Sequence, residues 1–165
     1  MEYLSDLSST KDGNDCVFVV VNQFSKISIL AACKKSITVE DTGKLFFERV
    51  WVHFVIPHTI ILDRDNMFLS TFYSSLWILL DINLTKSIAF HPHTDGQTKV
   101  VNRMIVHILR IYKYKHPKTW DENIPYMQHS YNRALHSSTS HSPFQVSLGF
   151  QPLCLTDVLM PHVTT

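Results

Sequence analysis

An acidic pair and a run of cations are the residues of this chain whose types and spacing suit phosphate chemistry. Asp63-Arg64-Asp65 follows the short apolar run His58–Leu62, so the carboxylates stand where the carboxyl end of a buried strand would deliver them. Ligands and metals of open α/β sheets collect at such strand ends. Downstream, His91-Pro92-His93-Thr94-Asp95-Gly96-Gln97-Thr98-Lys99-Val100-Val101-Asn102-Arg103 joins a glycine-containing turn to a long helical pattern. From Lys86 to Trp120 seven Lys or Arg face a single acid, Asp95, in a chain whose net charge is only +1. Lys99, Arg103, Arg110 and Lys113, with Asn102 and His107 among them, recur at intervals that a helix gathers on one side. Such a face either keeps a domain solvated or contacts phosphates.

The elements that must position these groups can be read from periodicity. Glu2-Tyr3-Leu4 is expected to be a strand, Cys16–Val21 a second, covered on both faces because it is continuously apolar, and Ser28–Ala32 a third. With turns at Ser8–Asn14 and Asn22–Lys26, the three are expected to pair as an antiparallel meander. Thr38 caps a helix with Leu45, Phe46, Val50 and Phe54 on its apolar face, ending by Pro57. His58–Leu62 is a short buried strand, Ser70 to Leu80 a helix, and Ile82–Thr85 a last strand. The cationic helix runs from Gln97 to about Lys115, with Val101, Met104, Ile105, Ile108 and Ile111 or Tyr112 facing the core and Asp95 left in the preceding loop. Trp120 to about Leu135 forms a further helix; Ser142 and Pro143 open a short one that Gly149 closes. Trp51, Trp77 and Trp120, with Tyr3 and Phe24, are expected in the core.

Composition bounds the class. At 165 residues and 45% hydrophobic content the chain is expected to form one domain over 1–150, with 151–165 as a tail. Its longest apolar runs are too short to span a bilayer and its start lacks the pattern of a secretory leader, so a soluble intracellular protein is expected. Cys16, Cys33 and Cys154 are odd in number and set mostly among apolar residues, which points to buried free thiols rather than disulfides. The ten His are scattered, and His91-x-His93 alone is too slight a pattern for a zinc site.

The order β-β-β-α-β-α-β-α describes an α/β fold, a mixed sheet of about five strands flanked by helices. Four segments, in order, carry a closer likeness: Val19–Lys26, Asp63–Phe68, His91–Arg103, and Tyr131-Asn132 through His136–Thr139 to Ser142–Phe144. On these the chain resembles the catalytic core of retroviral-type integrases, most closely that of gypsy-type LTR retrotransposons, on an RNase H-like fold.

That resemblance implies DNA as partner, Mg²⁺ or Mn²⁺ as cofactor, a homodimer as one assembly, a nuclear location, and no membrane or small-molecule substrate. In the family two Asp and a Glu, with thirty-five residues between the last two, hold two divalent ions for in-line displacement at a phosphodiester. Residues 64 to 98 make the same thirty-five-residue interval here, but it separates Asp63 from Lys99. Mapped by motif, the triad reads Glu2, Asp63 and Lys99: one member retained, one lengthened by a methylene and one reversed in charge. The expected ligands are therefore Asp63 and Glu2 alone, and the expected nucleic-acid contacts Lys99, Asn102, Arg103, Arg110 and Lys113. Asn22-Gln23 stands where Asp-Arg is usual and His93 where Gln is usual. The family's N-terminal zinc-binding domain and C-terminal extension are missing, so a fragment is expected. Three functions follow from the resemblance: an inactive nucleic-acid-binding core, an active transferase or nuclease using Asp65 or Asp95 as an unorthodox third ligand, or a dimerisation module.

Overall fold

A computed structural model of the chain describes residues 1–54, 58–62, 83–86, 92–154 and 157; for 62, 83–86, 92–102 and 113 the description is of the backbone. Strands β1 (Glu2–Leu4), β2 (Cys16–Val21) and β3 (Ser28–Cys33) form the expected antiparallel meander. Its register sets Glu2 opposite Val19 and Cys16 opposite Cys33. The turn between β2 and β3 is built by Asn22, whose Oδ1 accepts from the amides of Phe24 (3.0 Å) and Ser25 (2.9 Å). Lys26 then takes a left-handed φ of 62°, which turns the chain back into β3. Phe24, expected in the core, is instead 82% exposed, because this side-chain-capped turn holds residue 24 at the hairpin tip.

Alternation along β2 divides the interior into two layers. Cys16 and Phe18 join Ile29, Ala31 and Cys33 on one face, packed against Phe46 and Val50 and against Ile60 of the next strand. Val17 and Val19 join Leu30 on the other, packed against Ile105, Leu109, Trp120, Ile124, Met127 and Tyr131. Helix α1 (Val39–Arg49) covers the first face, its N-terminus capped by Thr38, whose Oγ1 accepts from the Asp41 amide at 3.1 Å. Tyr3 is half-buried there rather than core, stacked 5.3 Å from Phe18 with its hydroxyl 2.6 Å from Thr42 Oγ1. A 3₁₀ turn, Trp51–His53, ends this segment, and Trp51 is only half-buried.

Strands β4 (Thr59–Leu62) and β5 (Asn83–Lys86) run parallel, Thr59 opposite Asn83. The Met1 nitrogen donates to the Ile61 carbonyl at 2.7 Å, joining the three-stranded antiparallel sheet to this two-stranded parallel one; the five described strands are paired as these two sheets. The helix expected over Ser70–Leu80, with Trp77, lies outside the described residues.

Helix α2 spans Pro92–Lys115, five residues longer at its start than the expected Gln97. Proline is favoured in the first turn, where its missing N–H costs nothing, and Gly96 lowers helix stability by only ~1 kcal/mol. Asp95 is therefore helical, not in a loop. The buried stripe is also rotated from the expected one: Ile105 and Leu109 are buried, Ile108 and Tyr112 half-buried, while Met104 and Ile111 face solvent.

After a 3₁₀ turn at Asp121–Asn123 comes α3 (Ile124–Arg133), ending two residues before the expected Leu135, and then α4 (Pro143–Leu148). Ser142 and Gln145 close a reciprocal capping box on α4, and Gly149 takes φ 80° at its end. Trp120 is fully buried, as expected, with Nε1 donating to the Ser8 carbonyl at 2.7 Å. Cys16 and Cys33 are buried and form no disulfide; Cys154 is half-buried and likewise outside any disulfide. The segment expected as a tail from 151 begins with tethered residues: Gln151 Nε2 donates to the Arg133 carbonyl at 2.8 Å, and Arg133 pairs with Asp157.

Candidate nucleic-acid interface and carboxylate site

The bond from Met1 to Ile61 lays the start of β1 beside the end of β4. Glu2, half-buried on β1, thus lies next to the strand whose last residue, Leu62, precedes Asp63. Asp63 and Asp65 themselves lie outside the described residues.

Position 99, the third of the expected triad, is carried by α2. Its Ile105 packs in the same cluster as Val19, and Val19 is the register partner of Glu2. Lys99 stands six residues up the helix from Ile105, roughly 9 Å along its axis. Asn102 and Lys113 are likewise placed on α2 by its backbone. Arg103 and Arg110 are exposed, as is His107 between them. Two of the five expected nucleic-acid contacts therefore have described side chains, and both face solvent. Among the described residues no group of three or more His, Cys, Asp or Glu is arranged to hold a metal ion. No helix of the described residues is long and apolar enough to cross a membrane.

Two features of the site's supports escaped the sequence. One is that α3 finishes the outer edge of β3 with side-chain amides. Asn132, buried, accepts from the Ser28 amide and donates to the Ser28 carbonyl, both at 2.8 Å, and Gln128 Oε1 accepts from the Leu30 amide at 2.7 Å. An amide on a helix facing a strand is the only available signal, and it needs the tertiary pairing to be read. The other is Tyr114 on α2, 90% exposed; its signal was an aromatic residue spaced four from Arg110.

Electrostatics reinforce the frame. Burial works against ionisation of Asp121, but hydrogen bonds from Thr10 Oγ1 (2.6 Å) and Asn14 Nδ2 (2.8 Å) prevail and hold its carboxyl below the usual range. They fasten the Thr10–Asn14 turn to the segment following α2. Burial, with the Lys26 charge second, lowers the His136 imidazole, whose Nδ1 lies 3.0 Å from Ser138 Oγ. Burial pushes the Tyr131 phenol up to about 12.

No family model matches the chain. The Tf2-3 and Tf2-4 transposon polyproteins of Schizosaccharomyces pombe are each 37% identical to it over 152 residues, covering 92% of this chain and 11% of the relative. The chain thus spans about a tenth of the length of these curated relatives. Among solved structures, the catalytic core domain of BIV integrase superposes with a TM-score of 0.66 at 16% identity, covering 90% of this chain and 93% of that one. The HTLV-2 integrase catalytic core domain in complex with magnesium gives 0.65 at 19% identity, covering 88% and 94%. A chain of the simian T-cell lymphotropic virus intasome in complex with PP2A regulatory subunit B56 gamma gives 0.69 at 17%, covering 99% and 59%. These structures share the RNase H-like integrase-core fold that the family resemblance implied. The chain is thus homologous, along nearly all of its length, to a segment of the Tf2 retrotransposon polyproteins and shares the fold of retroviral integrase catalytic cores, consistent with an integrase core domain of an LTR retrotransposon.

Proposed function

We propose that this is an integrase core that binds DNA through α2 and does not carry out strand transfer. The observation that carries it is Lys99, thirty-five residues after Asp63, on the helix that should supply the third carboxylate. A lysine brings no oxygen to a site for hard divalent ions, which take six or more oxygen ligands. Like charges about 4 Å apart also repel by ~4 kcal/mol at the effective dielectric of a protein surface. Glu2 adds a methylene to the first ligand, moving its oxygens by on the order of 1 Å, enough to cost heavily where positioning is the catalyst. Glu2, Asp63 and Lys99 therefore do not fit a magnesium or manganese pair, and no catalytic step is assigned to them.

DNA binding is supported by the exposed Arg103 and Arg110 on a helix with a single acid, Asp95. Each neutralised phosphate releases counterions, so affinity falls with salt by a slope of roughly 0.9 per contact on duplex DNA. Lys99 adds to this face the charge that it removes from catalysis. The integrase neighbours include an intasome and a trimeric form, which supports a self-associating partner of DNA.

The test is a pair of measurements on one preparation. Duplex binding should be salt-dependent, with the slope reduced by about 2 in the Arg103→Ala/Arg110→Ala variant, and nicking with Mg²⁺ or Mn²⁺ should not exceed the metal-free background. Metal-dependent nicking lost in Asp63→Asn would overturn the inactive assignment. An added Asp95→Asn arm would then show whether the carboxylate one helical turn before Lys99 had replaced the missing ligand.

A further inference from the structure

Positions 103, 107, 110 and 114 fall within about 60° of one another around a helix of 3.6 residues per turn. They lie opposite Ile105 and Leu109, which are buried against β2 and β3. All four residues, Arg103, His107, Arg110 and Tyr114, are exposed. The stripe is about 16 Å long, and no acidic residue occurs from Gly96 to Trp120.

Tyr114 differs from the tyrosine two residues before it. Tyr112 turns inward, half-buried, with its hydroxyl donating to Asn123 Oδ1 at 3.0 Å. Tyr114 is 90% exposed, and no hydrogen bond or ring contact holds it among the described residues. Its ring contributes nothing to the core, and tyrosine is not among the better helix formers for a solvated face. A flat aromatic surface beside two guanidinium groups suits an unpaired base, whose faces are free, with the neighbouring phosphates on the arginines. A duplex keeps its base faces stacked inside and offers this ring little beyond its backbone.

We propose that the outward stripe Arg103–His107–Arg110–Tyr114 is a platform for an unpaired DNA strand, the arginines taking phosphates and Tyr114 stacking on a base. The proposal rests on the nucleic-acid assignment above and adds to it a preference for single strands, located at the carboxyl-terminal half of α2, away from the carboxylate positions.

The experiment measures binding of the full chain to a labelled oligo-dT and to a hairpin duplex by fluorescence anisotropy. Replacing Tyr114 by Ala should weaken oligo-dT binding about ten-fold and leave the duplex within two-fold. Tyr114→Trp should restore the single-strand affinity, which a purely structural role at an exposed position would not require. Arg110→Ala should weaken both probes and flatten both salt slopes. Unchanged oligo-dT binding in Tyr114→Ala, with duplex binding still dependent on Arg103 and Arg110, would overturn the platform and leave the DNA assignment standing. Absence of binding to either probe would remove both.

Discussion

His136 is lowered from the ordinary imidazole range, chiefly by burial and next by the Lys26 charge. Its folded value lies below its unfolded one, so the unfolded chain takes up a proton first. Stability from this group is present above the unfolded value, about 6.5, and declines as pH falls through it. A proton-NMR titration should therefore find the His136 midpoint below the ordinary imidazole value of about 6.5; a midpoint at or above that value would contradict this. Asp121 gives the complementary acid limb. Its folded value is also depressed, here by net hydrogen bonding from Thr10 and Asn14, so its contribution is present above the unfolded carboxylate value and is lost as pH falls toward the folded one. Asp121→Asn should flatten the pH dependence of the urea midpoint below about pH 4, and an unchanged acid limb would show that the carboxylate does not report folding. Trp120 was legible as core because its size and its place between two polar turns leave it few other fates. Phe24 was not, since an aromatic residue near a strand looks inward until the Asn22 turn is known to hold the tip in solvent.

At the level of elements, β3 is an edge strand, and α3 rather than another strand completes it. Three of its backbone polar groups, the Ser28 amide and carbonyl and the Leu30 amide, are satisfied by Asn132 and Gln128. Removing Asn132 leaves two buried groups without partners, each costing about 1–3 kcal/mol. Asn132→Ala should therefore lower unfolding free energy by on the order of 3 kcal/mol, read from a urea transition with unchanged slope. A change under about 0.5 kcal/mol, ordinary for surface substitutions, would mean that water serves the edge equally well. The meander was legible almost to the residue, because β2 is uninterrupted Cys-Val-Phe-Val-Val-Val and its turns carry Asn and Gly. Helix α2 was legible in type but not in extent. Pro92 and Gly96 read as turn residues by themselves, yet proline suits a first turn and one glycine is tolerated. The phase of its buried stripe was also misjudged: Leu109 had the spacing to join Ile105, and only packing against Val17, Val19 and Leu30 distinguishes that choice from Met104 and Ile111.

Taken whole, the three-stranded meander is buried on two faces. Helix α1 and β4 pack on the first face, and α2 and α3 pack on the second. The Met1–Ile61 bond brings the start of β1 to β4, while α2 packs on the opposite layer carrying position 99 and the outward cations. The fold was therefore written in periodicity. The candidate site was written only as residue types at the family's spacing, because a lysine in place of the expected carboxylate at position 99 would leave the helix that carries it unchanged. The proposed function separates binding from catalysis: exposed arginines on α2 would need no metal, whereas the family's metal-assisted phosphoryl transfer needs ion-holding carboxylates. Titration calorimetry with Mg²⁺ and Mn²⁺ tests that separation most directly, on the chain as it stands, on Lys99→Glu, and on Glu2→Asp combined with Lys99→Glu. The account predicts no binding heat for the first and saturable binding for the double variant. Tight binding by the unaltered chain, abolished in Asp63→Asn, would contradict it.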